Sequence, residues 1–135
     1  MGYNIELSFN VVKNSNVTEL QNDIKILATN CGCDLFYEDY EFEDNTFHLR
    51  KHCVITVNFD TKNIYYLTIF LKNIQNKKNV YLETIYDDNT KQLLYASQYY
   101  ITQKMDKGYS KVFKEERRKR SYSEDDTMIL DAIKL

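Results

Sequence analysis

Proline and tryptophan are absent from this 135-residue chain, and glycine occurs only three times. With Asn, Lys, Ile and Tyr abundant, that bias points to an AT-rich genome and not to an activity. No run reaches the roughly 18 apolar residues of a membrane span. The start, Met1 to Glu6, lacks the basic and apolar regions of a signal peptide, and Glu6 fails the myristoylation pattern, which needs Ser or Thr at that position. The three cysteines, Cys31, Cys33 and Cys53, are an odd number without a secretory signal. Reduced thiols in an intracellular compartment are the expectation. There is no glycine-rich phosphate loop and no recognisable nucleophile signature.

What is present reads as one soluble globular domain, with 43% hydrophobic and 28% charged residues. Its most legible stretch runs from Lys51 to Tyr86. Cys53, Ile55, Val57 and Phe59 alternate with His52, Val54, Thr56 and Asn58, as in a strand with one apolar face. Asp60 and Thr61 are placed to cap a helix in which Ile64, Leu67, Leu71 and Ile74 recur at helical spacing. A second strand is predicted from Val80 to Tyr86. The chain opens in the same way. Tyr3 to Val12 alternates as a strand with Ile5, Leu7, Phe9 and Val11 on one face. Asn16 and Glu19 have the spacing of a capping box before a helix that buries Val17, Leu20, Ile24, Leu27 and Cys31 and ends at Gly32. Cys33 to Phe42 reads as a strand.

Strand, helix, strand twice over predicts an α+β fold. The expected form is a ferredoxin-like β-α-β-β-α-β antiparallel sheet with both helices on one face. Alternation in the strands argues against a sheet covered on both faces. After the Asp87 to Thr90 turn signal, Lys91 to Ala96 is expected to return as a hairpin strand. Residues 1–96 would form this domain and 97–135 a helical extension. In that extension Ser97 caps a short helix, Gly108 breaks it, a basic helix spans 109–120 with Tyr109, Val112 and Phe113 on its apolar side, and Ser123 with Asp126 caps a final helix.

The net charge of −2 conceals a division. Residues 104–120 hold eight basic and three acidic groups, so the segment is +5 and the remainder −7. Lys114, Arg117, Arg118, Lys119 and Arg120 are the candidate nucleic-acid or partner-binding residues. Glu38, Asp39, Glu41, Glu43 and Asp44 form a candidate acidic partner surface. Ser121 and Ser123, between the basic run and Glu124-Asp125-Asp126, have the setting of kinase sites. Twelve tyrosines and seven phenylalanines exceed what the core requires. Tyr65, Tyr66 and Phe70 lie off the main stripe of the second helix, and tyrosine is favoured at interfaces.

Catalytic and metal readings are weaker. Cys31, Cys33, His48, His52 and Cys53 would be spread over the two ends of a hairpin, roughly 25–30 Å apart at about 3.3 Å per residue. Glu6 with Glu43 and Asp44 loosely resembles the carboxylates of polymerase palms and nucleotide cyclases, but no basic cluster accompanies them. Outward positions on the first and third strands carry no aromatics, unlike an RNA-recognition motif. The proline-free, Asn/Lys/Tyr-rich sequence and the segment from Glu116 through Arg120 to Asp126 resemble small uncharacterised proteins of large (giant) DNA viruses of protists. That resemblance brings no functional motif and no site, and implies the host cytoplasm or the virion as location. The expectation is a non-enzymatic, self-associating protein–protein interaction module needing no cofactor and no membrane. A nucleic-acid accessory protein and a carboxylate- or metal-dependent enzyme are the alternatives.

Overall fold

The computed structural model describes residues 3–12, 14–30, 36–45, 50–61, 64–103, 105–119 and 121–133. They form β1 (Tyr3–Val11), α1 (Asn14–Asn30), β2 (Phe36–Asn45), β3 (Arg50–Thr61), α2 (Tyr65–Ile74), β4 (Val80–Asp87), β5 (Gln92–Ala96), α3 (Gln98–Gln103), α4 (Lys107–Lys119) and α5 (Glu124–Ala132). The class is α+β. The five strands lie in the order β2-β3-β1-β4-β5, and every neighbouring pair is antiparallel.

The alternation of β1 decides what the sheet buries. Tyr3, Ile5, Leu7, Phe9 and Val11 share one core with Leu20, Ile24 and Leu27 of α1 and with Leu67, Phe70, Leu71 and Ile74 of α2. Ile129 and Ala132 of α5 belong to the same core, so the last helix closes it. Phe9 meets Phe70 edge-to-face, with ring centroids 6.0 Å apart. The second face is less open than strand alternation predicts. Ser8, Asn10 and Thr84 are buried there, and the Asn10 amide donates to buried Glu83 at 3.2 Å. A register shift in β4 between the partners of Ser8 and Phe9 lets Glu83 reach Asn10, while α3 packs against β4.

Several boundaries differ from the sequence reading, each for a local reason. α1 begins at Asn14, so Asn16 lies inside its first turn, where its amide reaches Glu19 at 3.5 Å. Asp60 and Thr61 extend β3, where they pair with Asn4 and Tyr3. Ladder hydrogen bonds thus outweigh a capping propensity, and α2 starts after Ile64 with no side-chain cap. The strand expected from Cys33 is β2, displaced towards Asn45; Cys31, Gly32 and Cys33 lie outside the described residues. Gly108 does not break a helix. It sits in the first turn of α4, where the Asp106 carboxylate accepts from the backbone N–H groups of Gly108 (2.9 Å) and Tyr109 (3.2 Å). Of the expected apolar side of α4, Phe113 is buried while Tyr109 and Val112 stay exposed.

Two expected caps are present. Tyr100 N–H donates to Ser97 Oγ at 3.1 Å, and Asp126 N–H donates to Ser123 Oγ at 3.1 Å. Each meets one of the orphan donors at a helix start.

Candidate interaction surface

The helical layer leaves a groove on its outer side, between α1 and α2, enclosing about 340 Å³. Helical spacing builds it. On α1, Leu20, Ile24 and Leu27 point into the core, which turns the Asp23, Ile26 and Asn30 row towards α2. On α2, the buried row of Leu67, Leu71 and Ile74 leaves Tyr66, Ile69 and Asn73 facing outward. Leu27, Phe70 and Ile74 line the depth of the groove. Phe70 therefore belongs to the core, whereas Tyr65 and Tyr66 do lie on the surface as the off-stripe reading expects.

Ile26 and Tyr65 are each 60% exposed, Tyr66 38% and Ile69 37%. Tyr65 and Tyr66 stack edge-to-face at 5.7 Å. An apolar groove with branched and aromatic walls is what a protein partner desolvates. Its rim is polar. Lys77 Nζ, on the link from α2 to β4, contacts Asp23 at 2.6 Å and Glu19 at 2.7 Å. The Asp23 and Glu19 hydrogen bonds raise the Lys77 pKa, and the Lys77 hydrogen bond lowers that of Glu19.

No protein-family model matches the chain. No curated protein matches it either. The surface has to be read from its own chemistry.

The charged candidates occupy other elements. Lys114, Arg117, Arg118 and Lys119 lie on α4, but their side chains and the whole of Arg120 are outside the described residues. The described cations of that helix include Lys107 and Lys111, both exposed. Glu38, Asp39, Glu41, Glu43 and Asp44 all lie on β2, at one edge of the sheet. In the backbone register Glu38, Asp39, Glu41, Glu43 and Asp44 are opposite Val57, Thr56, Val54, His52 and Lys51 of β3.

The proposed catalytic acids are not gathered. Glu6 is opposite Asn58 and Glu43 opposite His52, six residues apart on β3, or about 20 Å. His48, Cys31 and Cys33 lie outside the described residues, and among the described residues no three His, Cys, Asp or Glu are placed to hold a metal ion. No described helix is long and apolar enough to cross a membrane.

Sequence reasoning missed a buried pair of acids. Asp87 ends β4 and Asp126 lies in the first turn of α5, and each is 2% exposed. Tyr3, at the start of β1, donates its hydroxyl to Asp126. Burial, then this hydrogen bond and the nearby carboxylates, hold the Tyr3 pKa far above its usual value. The available signals were local ones, a turn aspartate and a helix-start aspartate, and neither pointed to the other.

Proposed function

We propose that this protein is a non-enzymatic interaction module that associates with a second copy of itself through the α1–α2 groove. The observation that carries the reading is the exposure of Ile26, Tyr66 and Ile69 around one apolar groove. A two-fold interface needs a surface complementary to itself. Here Tyr66 and Ile69 stand beside a concavity on the same face, so each copy offers both a knob and a hole. The acidic β2 edge and the basic α4 add opposite charges that would orient the pair.

The reading also takes β1 to β4 with α1 and α2 as a ferredoxin-like unit. Support comes from the β2-β3-β1-β4 part of the strand order and from helices that follow β1 and β3. If the chain is viral, as its resemblance suggests, the host cytoplasm or virion is where the assembly would act.

Mass measurement in solution tests the proposal. The unaltered chain is expected as a dimer at micromolar concentration, and Tyr66→Ala with Ile69→Asp as a folded monomer. A monomeric unaltered chain at every concentration and salt level removes the reading. A second reading, a nucleic-acid accessory role for α4, is favoured by its exposed Lys107 and Lys111. Charge reversal of Arg117, Arg118, Lys119 and Arg120 would then abolish salt-sensitive binding, and no measurable binding by the unaltered chain ends it.

A further inference from the structure

α4 is helical from Lys107 to Lys119, so its charges are sorted by helical position and not by their order in the sequence. At about 3.6 residues per turn, positions 107, 111, 114 and 118 follow one another at steps of four, three and four, which sets them in a single row. All four are cations: Lys107, Lys111, Lys114 and Arg118. The row covers about 16 Å of the helix axis at about 1.5 Å per residue. The acids that interrupt the sequence do not interrupt the row. Position 116 takes the opposite side of the helix and position 115 borders the row, so Glu115 and Glu116 separate Lys114 from Arg117 only along the chain.

Phe113 fixes which way the helix is turned. It is 4% exposed, so the side of α4 around it lies against the body of the protein. The cation row runs about 130° round the helix from that side, and Lys107 and Lys111 are exposed. Among the described residues neither lysine is held in an ion pair; the ion pairs there belong to Lys77. This arrangement selects the partner. A helix lying in a membrane surface sinks its apolar side into lipid, but Phe113 on that side of α4 is already buried in the protein. A site for single-stranded nucleic acid sets aromatic rings beside its cations for base stacking. Tyr109, the exposed aromatic of α4, lies round the helix from the row, and every position of the row itself is a cation. A straight line of positive charge with no ring to stack on a base suits the phosphate backbone of a duplex.

Resting on the nucleic-acid reading of α4, we propose that Lys107, Lys111, Lys114 and Arg118 form a phosphate-binding row that lays the helix on the backbone of double-stranded nucleic acid without reading its sequence, while Arg117, Lys119 and Arg120 lie off it. Binding of the full chain to a duplex of about 20 base pairs, followed by fluorescence anisotropy between about 50 and about 200 mM salt, tests the row. Four phosphate contacts give a slope of log K against log salt of about −3.6. Two charge-matched triple variants separate the row from net charge. Lys107→Gln with Lys111→Gln and Lys114→Gln should weaken binding at least about tenfold at about 50 mM salt and bring the slope to about −1. Arg117→Gln with Lys119→Gln and Arg120→Gln should weaken it less than about threefold and leave the slope in place. Glutamine is a good helix former, so both variants should keep α4, as circular dichroism will check. Equal losses in the two variants, or a larger loss in the second, overturn the row and leave the nucleic-acid reading standing. No binding by the unaltered chain ends both. Tighter binding to a single strand of the same length overturns the duplex assignment, and row-dependent binding to phosphatidylserine vesicles without duplex binding gives the row to a membrane instead.

Discussion

Tyr122 lies in the stretch between the two C-terminal helices with its hydroxyl buried and, among the described residues, unpartnered. Its ring packs against the core, so the side chain contributes apolar area and bears the cost of a desolvated donor. Tyr122→Phe should therefore raise stability by about 1 kcal/mol, read as an upward shift in melting temperature. A lower melting temperature would show that the hydroxyl has a partner. At this scale the sequence was informative wherever one side chain acts on its own neighbours. The Ser97 and Ser123 caps and the Asp87 turn were legible because donor and acceptor lie within three residues. Asp126 was not. Its position in a capping box is local, but its partners Tyr3 and Asp87 are distant in sequence and meet it only after the sheet has formed.

Among the elements, α1 is tied to the α2–β4 link through Lys77, which bridges Glu19 and Asp23. Glu19 has a lowered pKa, chiefly from its Lys77 hydrogen bond, so its contribution is present above the unfolded value and lost as pH falls through the folded one. Lys77 has a raised pKa, chiefly from the Asp23 hydrogen bond, so its contribution is present below the unfolded value and lost as pH rises through the folded one. The tie should thus hold from about pH 4 to about pH 10. Lys77→Met should lower the melting temperature slightly, by less as salt is added, because the pair is solvent-screened. A loss insensitive to salt would locate the role of Lys77 in its packing. Strand β1 was readable from alternation, β4 as a strand-like run and β5 from the turn signal before it, each to within a residue or so at each end. The start of α2 was not, because Asp60 and Thr61 are good caps that also fit a strand, and their β1 partners settled the choice.

For the whole molecule, the division between a basic α4 and an acidic β2 edge makes the proposed assembly sensitive to ionic strength. Apolar burial in the groove strengthens or holds with salt, whereas attraction between α4 and β2 weakens over a Debye length of about 8 Å at physiological ionic strength. Sedimentation at low and high salt should show a dimer that loosens without disappearing. Complete dissociation at high salt would assign the association to charge and remove the groove from it. A fully salt-independent dimer would remove β2 and α4.

The amino-acid sequence by itself determined the α+β class, the two strand–helix–strand halves and the Ser97 and Ser123 caps. Those features depend on side-chain periodicity and on bonds within one helical turn. Only the tertiary structure decided that Phe70 is core while Tyr66 and Ile69 flank a groove. It alone joined Tyr3, Asp87 and Asp126 in one buried cluster. Each of those outcomes depends on which elements become neighbours, and proximity across the sheet and between helices is not written in any local pattern.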